Sequence, residues 1–273
     1  MTGPWYDKWR LWVDYLGPHG DWARRELLDR RVLGLLKNVN GKKILDVGCG
    51  EGRLTRMLGR RGAEVVGIDS VPGLVALAQA IEEGRVTQED RKRWPWLQRV
   101  RTGRSCSGNV TYQVADVARL PKRLTCAFDG AVVCCTLNSV AELDGAVRAV
   151  SRSLKEYGVC ILAIPHPQVI WPQLAVPAGT PVFNNRLSIP YEEFIAPGLE
   201  VPNHYHPMAK LLNSFGKNRL LLEHLEEPLL SDPGSRRNCG EIEKVMSVRG
   251  FPHPSKAPWF LIARFVKVPV DET

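Results

Sequence analysis

Short apolar stretches alternate with longer amphipathic ones along residues 43–165 of the 273-residue chain. Five of the apolar stretches are rich in β-branched residues and end at Gly, Asp or Pro, which is typical of buried strands. They cover residues 43–47, 64–68, 110–115, 128–135 and 159–164. Between them, apolar residues recur at helical spacing, as in Leu74, Leu77 and Ile81. This alternation predicts an α/β fold with a parallel, doubly wound sheet.

Three regions depart from the alternation. Residues 1–40 are rich in Trp and Tyr and predict an N-terminal cap of one or two helices over one edge of the sheet. Residues 84–109 place Arg, Lys and Trp between a helix and a strand, which indicates a basic insertion. Residues 166–218 are rich in proline with little periodicity, as expected for a loop-rich lid. We therefore expect the cap at 1–40 and one domain at 41–273 that carries the insertion and the lid.

The helix expected after the fourth predicted strand has a sequence signal for its start. Ser139 stands three residues before Glu142, which is the spacing of a capping box. Apolar residues at helical spacing follow it, so we expect a helix after Ser139, whose hydroxyl caps the first turn.

A glycine-rich turn follows the first predicted strand. Residues 46–52 have the spacing D-x-G-x-G-x-G, and a helical pattern comes next. Glycine lets a ligand approach the backbone closely, and dinucleotides and S-adenosylmethionine are two ligand classes bound in this way. The dinucleotide fingerprint is G-x-G-x-x-G, but Arg53 occupies the place of its third glycine. The spacing therefore favours S-adenosylmethionine.

Acidic residues end the next two strands. A carboxylate at the tip of the second strand, here Asp69, can accept hydrogen bonds from both ribose hydroxyls. Asp116 ends the third strand, where it can accept the adenine amino group while Val117 packs on the ring. Each signal is weak alone, but their order and spacing together predict a nucleoside site at the carboxyl ends of the strands.

Together these motifs make the chain resemble the class I S-adenosylmethionine-dependent methyltransferases. It is most similar to the small-molecule enzymes of the ubiquinone and menaquinone biosynthesis type and their secondary-metabolite relatives, over about residues 43–165. The resemblance implies a Rossmann-like, seven-stranded, mostly parallel sheet of order 3-2-1-4-5-7-6, with strand 7 antiparallel and helices on both faces. The last two strands would lie at 220–227 and 259–267.

The resemblance also implies S-adenosyl-L-methionine as the cofactor and no bound metal. The residues expected to line the cofactor are Asp46, Gly48, Cys49, Gly50, Asp69, Ser70, Asp116, Val117 and Cys134. The function it implies is transfer of a methyl group to a small organic acceptor, at oxygen in preference to nitrogen or carbon. The cap and the lid would form the acceptor pocket.

Candidate catalytic residues follow from the acceptor chemistry. Methyl transfer is accelerated mainly by positioning, but a hydroxyl acceptor benefits from a base with a pKa near neutral, and histidine is the usual choice. His166 follows the fifth strand, and His206 precedes a predicted helix at 208–215, so both are candidate bases. The alternative for each is a structural role beside the neighbouring prolines.

Aromatic residues supply candidate acceptor contacts. Tyr6, Tyr15 and Tyr205 are the ones we expect to contact the acceptor. The alternative for the N-terminal aromatic residues is that they form an apolar stripe that docks a helix on the core.

Net charge adds a rival interpretation. The chain carries 37 Lys and Arg against 29 Asp and Glu, a formal charge of +8, and residues 85–104 hold seven of the basic residues. Basic residues interleaved with Trp can bind single-stranded nucleic acid, so an RNA or DNA methyltransferase is an alternative. It is less favoured, because Cys134-Cys135-Thr136-Leu137 stands where enzymes that methylate base nitrogens carry N/D-P-P-Y/F. A protein that binds S-adenosylmethionine without methylating is a second alternative.

Composition limits the class of protein and the cellular compartment that we expect. The hydrophobic fraction of 44% excludes a mostly disordered chain. Seven cysteines without C-x-x-C spacing indicate buried, reduced thiols and neither a disulfide framework nor a zinc site. Neither a signal-peptide core nor an apolar run of about 20 residues is present in the sequence. We expect a cytoplasmic enzyme with a small-molecule partner and no membrane association; the oligomeric state is left open.

Overall fold

A seven-stranded sheet organises the chain. The computed structural model describes residues 4–100, 109–167, 189–196, 198–232 and 256–269. The strands of the sheet are β1 (Lys43–Val47), β2 (Glu64–Asp69), β3 (Val110–Val114), β4 (Phe128–Cys134), β5 (Leu154–Pro165), β8 (Leu220–Glu226) and β9 (Phe260–Lys267). Their spatial order is β3-β2-β1-β4-β5-β9-β8. The first five strands are parallel, and β9 runs antiparallel to both neighbours. Counted within this sheet, the order is 3-2-1-4-5-7-6, so the predicted topology is confirmed.

Helices cover both faces of the sheet. The helices are α1 (Pro4–Leu16), α2 (Asp29–Leu35), α3 (Arg53–Gly59), α4 (Pro72–Glu83), α5 (Gln88–Arg93), α6 (Leu143–Ser153) and α7 (Met208–Lys217). On one face, Leu45 and Val47 of β1 share a buried cluster with α6 and α7. On the other face, Ile44 packs with residues of α2 and α3. Successive residues of β1 thus enter opposite cores, which explains why its sequence is a continuous apolar run.

The N-terminal cap consists of α1 and a second helical stretch. That stretch is a π-helical turn, Arg24–Leu28, that continues directly into α2. Helix α1 lies against the first turn of α4, where the Trp9 ring occupies the space that a side chain on Gly73 would fill. The helices expected before residue 40 are therefore present, while the domain boundary at 40 remains a prediction.

Besides the helix predicted at 208–215, the predicted lid contains a hairpin that the sequence pattern did not indicate. Strands β6 (Ile189–Ala196) and β7 (Leu199–Tyr205) form an antiparallel hairpin, and α7 follows it. Leu199, Val201 and Asn203 alternate as buried positions along β7. The expectation of a loop-rich segment was wrong here, because Pro202 and the buried polar Asn203 interrupt the apolar alternation of β7. Residues 168–188 of the predicted lid lie outside the described ranges.

The predicted capping box at Ser139 is wrong. Helix α6 begins at Leu143, and its N-cap residue Glu142 makes no side-chain capping bond. Ser139 lies in a short 3-10 turn, where its Oγ donates to Asn203 Oδ1 at 2.7 Å and accepts from Trp5 Nε1 at 3.2 Å. The Ser139 hydroxyl therefore bonds residues that are distant in sequence, and it does not cap the helix as the local pattern predicted.

The basic insertion begins with a short helix that has a capping box of its own. The Thr87 hydroxyl accepts from the Asp90 backbone N–H, and the Asp90 carboxylate accepts from the Thr87 N–H, at the start of α5. A 3-10 turn, Pro95–Gln98, follows this helix. Residues 101–108 lie outside the described part of the chain.

Within the described ranges, no helix has both the length and the apolar character required to cross a bilayer.

The contact between Trp9 and Gly73 predicts that adding a single methyl group at position 73 displaces α1. A Cβ on Gly73 would lie 2.4 Å from the Trp9 ring, whereas a Cβ on Gly145 in α6 would meet nothing within 4 Å. We expect Gly73→Ala to lower the free energy of unfolding by about 1 kcal/mol or more, since overpacking outweighs the helical preference for alanine. Gly145→Ala should raise it by about 0.5–1 kcal/mol. Urea unfolding measures both, and equal effects of the two substitutions would contradict this account of α1.

Candidate functional site

A cavity of about 570 Å³ opens at the carboxyl ends of β1, β2 and β4 and extends beneath α1. Ligands of open α/β sheets bind at this edge. All nine residues predicted to bind the cofactor line the cavity: Asp46, Gly48, Cys49, Gly50, Asp69, Ser70, Asp116, Val117 and Cys134. The structure therefore brings the predicted set together in one place.

The glycine turn after β1 forms part of the cavity wall. Gly48 and Gly50 have φ of +70° and +58°, in the left-handed region that favours glycine. The N–H groups of Gly48 and Cys49 both donate to the Ile68 carbonyl oxygen, at 2.8 and 2.9 Å. A Cβ on Gly48 would lie 2.1 Å from Thr136 Oγ1, whereas a Cβ on Gly50 would meet nothing within 4 Å. Gly48 is thus required for packing, and Gly50 keeps backbone open to the cavity.

Backbone donors hold Asp69 in place at the tip of β2. Its Oδ2 accepts from the Gly50 N–H at 3.0 Å, and its Oδ1 accepts from the Val71 N–H at 2.9 Å. Burial raises the pKa of this carboxyl, and the two backbone bonds oppose that effect. The carboxylate therefore has one orientation, and it connects the glycine turn to the start of α4.

Asp46 lies deeper, at the end of β1. Its side chain is buried and accepts a hydrogen bond from Thr55 Oγ1 at 2.6 Å. Burial raises the pKa of Asp46 to about 6, against the effect of the Thr55 bond, and the charges of Glu51 and Asp69 raise it further. Three acidic side chains, those of Asp46, Glu51 and Asp69, line the same cavity. Their combined field favours a ligand that carries positive charge.

Two arginines line the cavity on the side of the cap, and sequence reasoning did not assign either of them. Arg24 pairs with Asp21 at 2.6 Å, its guanidinium lies 4.9 Å from the Trp12 ring centroid, and its side chain is only 14% exposed. Burial opposes its charge, but the neighbouring Asp21 carboxylate raises its pKa. Arg53 is held by Asp29 through two bonds of 2.6 and 2.8 Å. The partner of Arg53, Asp29, is 24 residues away in the cap, so the local pattern carried no signal for that pair. Arg24 and Asp21 are only three residues apart, but their spacing does not indicate that they lie at the cavity.

Asp116 and Val117 form the wall below β3. Val117 is buried, and the exposed Asp116 accepts from the Ala118 N–H at 2.9 Å, which caps the 3-10 turn Val117–Arg119. The capping bond fixes the position of the carboxyl group at the rim of the cavity. Asp116 therefore has a local structural role in addition to the ligand contact predicted for it.

Aromatic side chains of α1 close the cavity from above. Trp5, Tyr6 and Trp12 all line it, and the Tyr6 hydroxyl donates to the Ser70 carbonyl oxygen at 2.7 Å. Tyr15 stacks on Trp12 at 5.8 Å between ring centroids. Of the three tyrosines predicted to contact an acceptor, only Tyr6 is on the cavity wall; Tyr15 and Tyr205 are not among the residues that line it.

The two candidate bases are engaged elsewhere. His166 is fully buried, with Nε2 2.7 Å from Glu227 Oε1. His206 Nε2 lies 3.0 Å from both the Leu137 and the Val140 carbonyl oxygens, so this nitrogen carries the proton and donates. Burial lowers the pKa of His206 to about 4. Neither histidine is among the residues that line the cavity.

His206 therefore acts on the cavity through the turn that it holds. Residues 137–140 follow β4, and Ser139 and Val140 of this turn line the cavity. At any pH well above 4 the imidazole is neutral, and its Nε2–H donates to carbonyl oxygens at both ends of the turn. The geometry of the turn therefore depends on His206. The geometry thus favours the structural alternative for this histidine.

The basic insertion anchors the cap. Trp94 is buried and donates from Nε1 to Asp14 Oδ1 at 2.6 Å, and Arg93 pairs with the same carboxylate at 2.7 Å. Arg91 donates to the Leu97 carbonyl oxygen at 3.1 Å. The Trp94 ring is therefore not available to stack on a base, which removes part of the argument for nucleic acid binding.

Among the described residues, one cysteine departs from the expectation of buried thiols; Cys106 and Cys239 lie outside the described ranges. Cys49 and Cys160 are buried, and Cys134 and Cys135 are half-buried, but Cys126 is exposed. The expectation of uniformly buried thiols was therefore wrong for Cys126. It lies just before β4, in a loop rather than in an apolar run.

Close packing of Gly48 on Thr136 predicts a coupling between the two residues. Gly48→Ala and Gly50→Ala share the cost of a left-handed alanine, about 1–2 kcal/mol each. Only Gly48→Ala adds the clash with Thr136, so it should destabilise the fold by about 1–3 kcal/mol more. Thr136→Ala should recover part of this difference in a double-mutant cycle. Denaturant unfolding of the four variants measures it, and strict additivity of Gly48→Ala and Thr136→Ala would refute the contact.

Comparison with known proteins identifies the domain. Residues 45–162 match the family described as "Methyltransferase domain". A ubiquinone biosynthesis O-methyltransferase from Xanthomonas oryzae pv. oryzae (strain PXO99A) is 31% identical over 126 residues, which are 46% of this chain and 44% of that protein. The chain therefore matches less than half the length of this curated relative.

Solved structures share the fold over most of the chain. A putative S-adenosylmethionine-dependent methyltransferase from Listeria monocytogenes has a TM-score of 0.61 at 18% identity and covers 88% of this chain and 96% of its own. The [4+2]-cyclase SpnF has a TM-score of 0.53 at 20% identity, with 89% and 82% covered. Residues 45–162 thus match the methyltransferase domain family, and the chain has the fold of the class I S-adenosylmethionine-dependent methyltransferases.

Proposed function

We propose that this protein binds S-adenosylmethionine in the cavity and transfers its methyl group to an oxygen of a small organic acceptor. The observation that carries the proposal is that nine predicted cofactor residues, distributed over four strand ends, line one cavity. The family of residues 45–162 and the relatives named O-methyltransferase support the same activity.

The cavity residues suit the parts of this cofactor. We assign the Asp69 carboxylate, which two backbone N–H groups orient, to the ribose hydroxyls, and Asp116 and Val117 to the adenine amino group and ring. Gly50 leaves room for the methionyl chain beside the turn. The sulfonium and ammonium charges match the acidic side chains of the cavity floor, and Arg24 supplies a cation for the methionyl carboxylate.

The side of the cavity beneath α1 suits an apolar, planar acceptor. Trp5, Trp12, Leu16 and Val140 line this side and exclude water from a bound acceptor. Methyl transfer from a sulfonium is an in-line displacement, so the main task of these residues is to hold the acceptor oxygen against the methyl carbon. We assign the acceptor proton to neither His166 nor His206, because both rings bond elsewhere.

Removal of a cofactor contact tests the proposal. We expect Asp69→Ala to weaken S-adenosylhomocysteine binding by about 10–100-fold, since a charge-assisted bidentate contact contributes about 1.5–3 kcal/mol. Gly50→Val should abolish binding by filling the open space beside the turn. Asp129→Ala is the matched control: this carboxylate bonds Lys43 N–H and Lys155 at the opposite end of the sheet. It should leave affinity unchanged.

Isothermal calorimetry gives the affinities, and incubation with methyl-labelled S-adenosylmethionine and a panel of small phenols gives the activity. Labelled product with the methyl on oxygen supports the full proposal. Unchanged affinity in Asp69→Ala and Gly50→Val would overturn the cofactor assignment. Tight binding without product across phenols, amines and acidic carbon compounds would instead favour the protein that binds the cofactor without methylating.

Cofactor affinity should depend on pH through Asp46. Because burial raises the pKa of Asp46 to about 6, this carboxyl gains its negative charge as the pH rises through that value. A cationic sulfonium is bound better by the ionised carboxylate, so S-adenosylmethionine affinity should increase severalfold from about pH 5 to about pH 7. Burial also raises the pKa of Asp69, which adds to the same trend.

Two controls isolate the Asp46 charge. S-adenosylhomocysteine lacks the sulfonium charge, so its affinity should rise less over the same range. Asp46→Asn keeps an acceptor for Thr55 Oγ1 and should reduce the pH dependence of S-adenosylmethionine binding. Fluorescence or calorimetric titration at several pH values measures these differences. Identical pH profiles for the two ligands would show that the sulfonium does not sense Asp46.

A further inference from the structure

The hydroxyl of Ser139 lies on the cavity wall where we place the acceptor. Ser139 and Val140 both line the cavity, and the Trp5 ring of α1 borders the same wall. Thr136, which packs where a side chain on Gly48 would lie, precedes Ser139 by three residues. A polar group in this position, beside apolar and aromatic neighbours, can fix the orientation of a bound small molecule.

Two hydrogen bonds define how Ser139 can interact with a ligand. Its Oγ donates to Asn203 Oδ1 at 2.7 Å and accepts from Trp5 Nε1 at 3.2 Å. A hydroxyl has one proton and two lone pairs, so the proton and one lone pair are in use. No other side chain in the described ranges bonds to this oxygen, which leaves the second lone pair for a ligand. Ser139 therefore meets a cavity ligand as a hydrogen-bond acceptor and not as a donor.

The amide of Asn203 sets the direction of this bond. Its oxygen can only accept, and it is the atom that lies against the Ser139 hydroxyl. Asn203 is only 1% exposed on β7, inside the hairpin with β6. His206 follows the same strand and donates to the carbonyl oxygens at both ends of the turn that carries Ser139. This part of the chain thus holds both the turn and the proton of its hydroxyl.

We propose that Ser139 determines specificity for the methyl acceptor: its Oγ accepts a hydrogen bond from an acceptor hydroxyl and selects alcohols and phenols over carboxylate or carbonyl oxygens. This inference rests on the proposed function and narrows its oxygen acceptor to one that carries a proton. A carboxylate or carbonyl oxygen would face the Ser139 lone pair with no proton between them, which is unfavourable away from water. The bond orients the hydroxyl, leaves lone pairs of its oxygen free for the methyl carbon, and transfers no proton.

Matched ligands test this selectivity. With S-adenosylhomocysteine saturating, phenol and naphthol are each compared with two analogues in which fluorine or an aldehyde group replaces the hydroxyl. We expect each hydroxyl compound to bind about 3–10-fold more tightly than its analogues, as one neutral hydrogen bond implies. Titration calorimetry measures the affinities. Equal affinity of the hydroxyl compounds and their analogues, or no binding of either hydroxyl compound, would overturn the proposal.

Ser139→Ala removes the proposed bond without touching a residue assigned to the cofactor. The preference for the hydroxyl compounds should disappear, while S-adenosylhomocysteine affinity stays the same. Ser151→Ala is the matched control, because this hydroxyl donates to the Asn218 carbonyl oxygen at 2.7 Å and is not among the residues that line the cavity. It should keep the preference, whatever its effect on stability. A preference that survives Ser139→Ala, or is lost equally in Ser151→Ala, would overturn the role of Ser139.

Asn203→Ala tests whether the amide sets the direction of the bond. Without this amide, Ser139 can turn its proton into the cavity and donate to an aldehyde. The aldehydes should therefore gain affinity relative to the hydroxyl compounds, and the gain should be absent in the double variant Ser139→Ala/Asn203→Ala. A hairpin that is merely loosened would weaken all ligands together. An unchanged ratio of the two affinities would thus overturn the role of Asn203.

Failure of this inference and failure of the proposed function give different results. A parent protein that does not bind S-adenosylhomocysteine would overturn the proposed function, and the inference with it. A protein that binds this ligand and methylates phenols equally well with and without the Ser139 hydroxyl would overturn the inference alone. Faster transfer of labelled methyl to aromatic carboxylates than to the matching phenols would also overturn the inference, and it would leave oxygen methylation intact.

Discussion

Packing of the turn after β1 directly on the turn after β4 is the constraint on which the site depends. A Cβ on Gly48 would lie 2.1 Å from Thr136 Oγ1, and that hydroxyl donates to the Val47 carbonyl oxygen at 2.9 Å. Two neighbouring strand ends therefore meet through the Thr136 side chain, which packs where a side chain at position 48 would lie. This contact leaves the backbone of Gly50 open to the cavity, and it places the end of β4 beside the end of β1. Only glycine can occupy position 48 in this arrangement.

Buried charge is the second property that defines the site. Burying the Asp46 carboxyl raises its pKa to about 6, so near neutral pH the cavity wall contains a negative charge that burial disfavours. Each arginine on the opposite side has one carboxylate partner from the cap, Asp21 for Arg24 and Asp29 for Arg53. The positive charge of a cationic ligand would balance the acidic side chains of the cavity floor, and a carboxylate on the same ligand could pair with one of the two arginines. The arrangement thus stabilises the bound state at the expense of the empty one, as expected where function overrides local stability.

Sequence reasoning succeeded where the determining interactions are local. Most strand positions and the glycine and acidic residues of the cavity follow from apolar runs, a glycine spacing and acids at strand ends, because parallel strands bring their carboxyl ends to one edge. The strand order came from the family resemblance, and the early start of β5 at Leu154 was not predicted. It failed where a residue's partner is distant in sequence. Ser139 has capping-box spacing, but its hydroxyl bonds Asn203 and Trp5. Arg53 and His206 likewise take their roles from Asp29 in the cap and from the turn after β4. Local pattern contains none of these contacts.

The cap is held by contacts from three separate parts of the chain, and this changes the meaning of the basic insertion. Trp5 reaches Ser139, Lys8 donates to the Glu200 carbonyl oxygen on the hairpin, and Asp14 receives both Trp94 and Arg93. An excess of positive charge in one segment suggests a polyanionic partner when only composition is considered. Here part of that segment binds an acid on the helix that covers the cavity. Its described residues therefore belong to the structure of the site, since the wall formed by Trp5, Tyr6 and Trp12 depends on where α1 lies.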